Sequence, residues 1–194
     1  MIEKILDLDS YLFLYLNNLG SQYYDNFWIF LSRTEANVMF YLVVLIAYIY
    51  SINNKKRTKI LFHLIIAIAI LITISDQTSN LFKDSFQRLR PCYNELISDS
   101  LRLVKDSCGG RYGFFSAHAS NSFSLAIFFG LLLRSSNRLL ILLFTIYAFL
   151  ISYSRIYLGV HYPIDILVGT IFGTINAIVL YKIYLYSFNF LNKS

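Results

Sequence analysis

The sequence predicts an all-α protein, a polytopic membrane bundle of about six transmembrane helices in a single domain over residues 1–194. Two observations carry that prediction. Of the 194 residues, 57% are hydrophobic and only 14% charged, whereas ordinary soluble domains carry about 25% charged residues. The apolar residues also gather into runs near the roughly 20 residues that a helix needs to cross the hydrocarbon core. No Pro/Gly/Ser-rich linker, internal repeat or low-complexity tract divides the chain.

Taken in order, the opening MIEKILDLDS lacks the basic region, apolar run and cleavage site of a signal peptide, so insertion is expected to be driven by the spans themselves. The first span is expected over 10–32. Asn17, Asn18, Gln22, Asp25 and Asn26 interrupt it, so it either crosses as a polar-seamed helix, the favoured reading, or lies in the interface as two short helices. Five stronger spans follow at 36–52, 60–82, 117–133, 138–154 and 163–186. Tyr and Phe are abundant and many fall near span ends, as interfacial anchors do.

The short linker NNKKRTK (53–59), with Arg134 and Arg138 at the next tight turn, is expected to face the cytoplasm by the positive-inside tendency. The opposite side carries the 83–116 loop, with basic residues at 83, 88, 90, 102, 105 and 111. The net charge of +6 has no basic helix, zinc motif or basic-aromatic platform behind it. No nucleic-acid partner is expected; the partners are the bilayer and an anionic lipid. Both cysteines, Cys92 and Cys108, lie in this loop. Outside the cytoplasm they are a candidate disulfide closing about 15 residues, worth roughly 3 kcal/mol in the chain-entropy model; the alternative is two unrelated thiols. Two cysteines without nearby His partners supply too few ligands for zinc, and no metal is expected.

The polar residues at span ends converge on one side of the membrane: Lys83, Arg90, Ser116, His118, Arg155, His161 and Asp165, with both prolines of the chain, Pro91 and Pro163, among them. Lys83 and Arg90 are seven residues apart, on one helical face. Alone they could snorkel to headgroups; together they suit an anion clamp, a guanidinium fork beside a point charge. Asp76 and Asn80 share that face. An acid in a span is costly without a partner, so Asp76 is expected to hold Lys83 or another cation. Ser116 is a suitable N-cap for the span that follows, whose first amides form an anion site with His118 in that turn. Asp165, four residues after His161, could simply be a helix-start acid. Behind an imidazole, it would fix the tautomer and stabilise developing charge. His63, on the other side of the membrane, reads as interfacial packing.

These residues resemble the type 2 phosphatidic acid phosphatase superfamily, which includes the vanadium haloperoxidases. Its signature is Lys, six residues, Arg-Pro; then Pro-Ser-Gly-His; then Ser-Arg, five residues, His, three residues, Asp. The first is matched by Lys83 to Arg90-Pro91 and the third by Ser154-Arg155 to His161 to Asp165. The second reads Phe115-Ser116-Ala117-His118 and departs at Pro and Gly; alanine keeps the N–H but narrows the backbone options.

The resemblance implies a metal-independent lipid phosphatase without cofactor. Lys83, Arg90 and Arg155, with amides near Ser116 and Ala117, would hold the phosphate. His161 would attack phosphorus and His118 would protonate the leaving oxygen, then activate water; vanadate should inhibit. The expected substrates are undecaprenyl diphosphate, a lipid A phosphate or phosphatidylglycerol phosphate. The expected location is a bacterial cytoplasmic membrane, with the site facing the periplasm or exterior. The CGG, YGF and SxHA run looks similar to lipid A phosphatase-like branches. The same residues would serve a phosphotransferase passing the phosphoryl group to another lipid or sugar. A non-catalytic lipid-binding scaffold is the alternative outside catalysis, and retention of both histidines and Asp165 argues against it.

Overall fold

The computed structural model describes residues 2–52, 57–105, 107–134 and 137–191. Residues 53–56, most of the expected basic linker, lie outside the described residues. The helices are α1 (Ile2–Asn18), α2 (Asp25–Leu31), α3 (Thr34–Ser51), α4 (Arg57–Phe86), α5 (Ala117–Leu133), α6 (Leu139–Tyr157) and α7 (Pro163–Leu191). Four of them, α3, α4, α6 and α7, are long and apolar enough to cross a membrane. The 17 residues of α5 give it a length of roughly 25 Å at 1.5 Å per residue.

The 10–32 segment differs from the favoured expectation of one crossing helix. It breaks after Asn18, passes through a 3-10 turn at Gln22–Tyr24 capped by Ser21, and resumes as α2. Asn17 supplies a physical reason. Its side chain is wholly buried: Nδ2 donates toward the carbonyls of Ile156, Tyr157 and Arg102 at 2.9–3.0 Å, and Oδ1 accepts from Arg102 N–H at 2.7 Å. The polar residues that interrupt the run thus clasp α1 to the end of α6. Further along α1, Phe13 meets Tyr162 edge-on at 5.4 Å and Asp9 accepts from Ile164 N–H at 2.9 Å. The helix therefore lies across the ends of α6 and α7. Its other face exposes Ile5, Leu8, Tyr11, Leu12 and Tyr15, as suits a helix in the membrane interface.

The bundle is built around α5, which is packed by α4, α6 and α7. Its small residues Ala119, Ser120, Ser124 and Ala126 are buried, and α7 answers with Gly169, Gly173 and Ala177. A Cβ placed on Gly173 would stand 2.2 Å from the carbonyl oxygen of Ser120, and one on Gly169 2.6 Å from that of Ser116. The two backbones meet with no side chain between them, a small-residue contact of the kind that drives helix association in lipid. Ser124 Oγ adds a 2.9 Å bond to the carbonyl of Gly173, and Ser75, Ser120 and Ser124 link α4 to α5 through their hydroxyls.

Gly173→Ala should therefore destabilise the bundle by about 1–3 kcal/mol, the usual cost of overpacking. Thermal unfolding in detergent should show a lowered midpoint. Ile175→Ala, at a side chain 55% exposed on the same helix, should barely move it. Equal midpoints for both variants would contradict the close contact.

Candidate active site

The α6–α7 connection sets the central group. α6 ends at Tyr157, and Gly159 takes the left-handed conformation (φ 81°), which glycine adopts without steric cost. Val160 N–H returns to the carbonyl of Arg155 at 3.1 Å. His161 emerges from this turn 2% exposed, with Nδ1 3.3 Å from Asp165 Oδ2. The same oxygen accepts from Tyr162 N–H at 3.1 Å. Burial holds the His161 pKa well below the ordinary histidine value, and Arg90, Arg155 and Lys83 push it the same way. The ring is thus neutral near pH 7, with Nδ1–H directed at Asp165 and Nε2 left for chemistry. Because its folded pKa lies below the unfolded value of about 6.5, protonation favours the unfolded chain. The stability its neutral ring contributes is present above pH 6.5 and declines as pH falls.

Asp165 is wholly buried. Its other oxygen accepts from Arg88 Nη1 at 2.8 Å, while Arg88 Nη2 reaches Asp9 Oδ2 on α1 at 2.6 Å. The guanidinium also lies 4.1 Å from the ring centroid of Tyr162. Arg88 was legible only as one of the loop's basic residues, and Asp9, nearly eighty residues upstream, not at all.

Arg90 is fixed by the loop. Leu89 and Tyr112 form an isolated antiparallel bridge, and Arg90 Nη1 donates to the carbonyl of Cys108 at 3.0 Å. Cys92 and Cys108 are joined by a disulfide, with Cα atoms 6.3 Å apart, so the bridge pins the chain on both sides of that contact. Burial pulls the Arg90 pKa down while Asp165 opposes it. Gly113 closes the other side: a Cβ there would meet Arg90, Asp165 and His161 within 3.0–3.5 Å.

Arg155 is 5% exposed. It donates to Ser32 Oγ, while its Nε is buried without a partner. Lys105, missed by the sequence reading, joins this group. Burial lowers its pKa, and the like charges of Arg155, Arg90 and Arg33 add to the effect. Lys83, at the end of α4, is loosely held, 3.5 Å from Asn80 Oδ1.

Ser116 caps α5, its Oγ accepting from Ala119 N–H at 3.4 Å. Its own N–H is donated to the carbonyl of Asp165 at 3.1 Å, so it is committed to structure. The amides that helix geometry leaves without intrahelical acceptors are those of Ala117 and His118. His118 lies within electrostatic reach of His161, Arg155, Lys105 and Arg90. Asp76 departs from expectation: it accepts from Asn121 Nδ2 at 2.8 Å and does not hold Lys83. His63 stands apart, its Nδ1 2.7 Å from the carbonyl of Lys59. Among the described residues, no three His, Cys, Asp or Glu side chains come together to hold a metal ion.

A buried imidazole backed by a carboxylate and facing several under-paired cations is suited to nucleophilic attack on an anionic phosphorus centre. Comparison with known proteins points the same way. The model of the PAP2 superfamily matches residues 67–189. The chain belongs to the PAP2 superfamily. Within its membrane lipid phosphatase branch, a Porphyromonas gingivalis protein named lipid A 4′-phosphatase is 34% identical over 189 residues, 96% of this chain and 77% of that protein. A Bacteroides thetaiotaomicron protein of the same name is 37% identical over 185 residues, 94% and 80% of the two chains. The crystal structure of Aquifex aeolicus LpxE superposes with a TM-score of 0.65 at 25% identity, over 88% of this chain and 93% of that one. The PAP2-type phosphatidylglycerolphosphate phosphatase of Bacillus subtilis gives 0.69 at 14% identity, over 91% and 84%, a likeness of fold. The PAP2 match starts after α1 and so leaves out Asp9.

Arg88→Ala would strand two carboxylates that are 1% and 0% exposed. Breaking a buried pair this way costs about 3–5 kcal/mol, so the unfolding midpoint in detergent should fall sharply. A midpoint within a degree of the unmodified protein would contradict this role.

Proposed function

We propose that this PAP2 protein hydrolyses a phosphate monoester on a lipid A-type saccharide lipid, on the non-cytoplasmic side of the membrane, through a phosphohistidine on His161. The observation that carries the reading is the buried, neutral His161 with Asp165 behind Nδ1 and Arg90, Arg155 and Lys83 acting on it. Two relatives named for lipid A phosphatase activity, each covering more than nine-tenths of the chain, support the substrate class. The Cys92–Cys108 bridge supports the side, because such bonds persist in oxidising compartments.

In the proposed reaction the phosphate oxygens lie among Arg90, Arg155, Lys83 and Lys105, with the Ala117 and His118 amides at the start of α5. Nε2 of His161 attacks phosphorus. The bond to the leaving oxygen breaks as His118 delivers its proton there, and Asp165 stabilises the charge developing on His161. Water then attacks the phosphohistidine, His118 takes its proton, the P–N bond breaks and inorganic phosphate leaves. Preorganised cations and amides act on the charge of the transferring group, and Arg155 Nε, buried without a partner, is the donor with most to gain from it.

Phosphate release from a lipid A-type lipid in detergent is the test. His161→Ala should abolish it, and Asp165→Asn should lower kcat by orders of magnitude, as loss of the orienting acid does in triads. In the pH profile of kcat/KM, the limb due to protonation of His161 should fall below about pH 6.5, because burial and the surrounding cations disfavour the charged ring. Full activity in His161→Ala would overturn the nucleophile assignment. Labelled phosphate appearing on an added lipid or sugar, in place of free phosphate, would point to transfer.

A further inference from the structure

We propose that a cavity beside His118, between α3, α4 and α5, is the subsite for the leaving group. Asn121, Asp76 and Tyr41 make it selective for a saccharide that donates hydrogen bonds and carries its acyl chain through an amide. This rests on the phosphatase reading and deepens it.

The cavity has a volume of about 340 Å³, and Thr34, Asn37, Tyr41, Asp76, His118 and Asn121 are among its lining residues. Two of these residues carry a buried polar atom without a partner, Asn121 Oδ1 and Tyr41 Oη. Tyr41 as a whole is 6% exposed. Folded proteins keep such orphaned groups rare because each gives up its hydration for nothing. Two in one cavity, next to a histidine of the site, point to a ligand that satisfies them.

The chemistry of the wall selects that ligand. Asn121 Nδ2 is committed to Asp76 Oδ1 at 2.8 Å, which fixes the amide with Oδ1 as the free end. A carboxylate and an amide oxygen are acceptors only, so the occupant has to bring O–H or N–H donors. The phosphate has none to spare and would be repelled by Asp76. It belongs with the cations that act on His118, none of which is among the residues lining this cavity. What remains for the cavity is the group that leaves when the P–O bond breaks and His118 protonates the departing oxygen. Diacylglycerol esters offer acceptors, the prenyl monophosphate released from a prenyl diphosphate offers anionic oxygens that Asp76 would repel, and phosphatidylglycerol offers a single further hydroxyl. An amino sugar offers hydroxyls and an amide N–H.

The chain attached to that sugar also has a path. A second hollow of about 160 Å³ shares Val38, Tyr41, Ile72 and Leu125 with the first, and continues past Leu45 and Phe129. Tyr41 stands where the polar cavity gives way to the apolar one. In this proposal its unpartnered hydroxyl bonds the amide that joins sugar to chain.

The test compares kcat/KM in detergent for two phosphate monoesters with matched acyl chains, an N-acylated glucosamine phosphate lipid and phosphatidic acid. Unmodified protein, Asn121→Leu and Tyr41→Phe are measured side by side. The unmodified protein should favour the saccharide lipid by roughly tenfold or more, as sites built to hydrogen-bond a substrate do. Each variant should lower that ratio several-fold, chiefly through a raised KM for the saccharide lipid. Tyr41→Phe removes one oxygen and keeps the ring that stacks on Phe129, so it remains decisive if Asn121→Leu fails to fold. An unchanged ratio in Tyr41→Phe, or equal losses on both lipids, would overturn the subsite while leaving the phosphatase reading intact. Folded protein that releases phosphate from neither lipid would overturn both.

Discussion

The contact between α5 and α7 is the constraint on which the rest of the structure depends. Gly169 and Gly173 leave no room for a side chain against the Ser116 and Ser120 carbonyls, so the two helices can meet in only one register. That register sets the start of α5 beside the start of α7, with Ser116 N–H bonded to the carbonyl of Asp165. The histidine on the first turn of α5 and the histidine just before α7 are thereby brought to one end of the bundle. Two sequence segments more than forty residues apart acquire a common site because their backbones touch below it.

Around that end the fold buries charges and distributes the cost. Asp165 is protected by Arg88, and Arg88 is shared with Asp9 from a helix that crosses the end of the bundle. The remaining cations are treated differently. Arg90 is held through backbone carbonyls and Arg155 through a serine hydroxyl, so neither has its charge cancelled by a carboxylate. Burying unpaired positive charge is costly, and its effect is visible in the lowered pKa of Arg90 and Lys105. An anionic substrate would return much of that cost as binding energy.

Much of this was legible in the sequence. The apolar runs of the five stronger spans mark α3 to α7 closely, since a lipid-facing helix has little choice of composition. The spacing of His161 and Asp165 follows from turn geometry over a short distance. Lys83 and Arg90, by contrast, do not share a helical face as expected: α4 ends at Phe86, Gln87 takes a positive φ, and the extended backbone of the loop places Arg90. What stayed hidden depends on distant pairings. Asn17 reads as a flaw in a span until its partners at 102, 156 and 157 are known. Arg88 is indistinguishable from its basic neighbours without Asp9, and Lys105 reads as loop charge until the disulfide and the 89–112 bridge fold that loop over the site. Asp76 acts on Lys83 only through its field, and the sequence does not show that its hydrogen bond goes to Asn121 of α5.

Direct capture of the covalent intermediate tests the central claim best. Unmodified protein would be mixed with a radiolabelled lipid phosphate, quenched in alkali within the first turnover and mapped by peptide. Acid-labile, alkali-stable label on the peptide carrying His161 is the predicted result, absent in the His161→Ala protein. Label on another residue would contradict the assignment of the nucleophile, and rapid phosphate release with no labelled protein would contradict a covalent route.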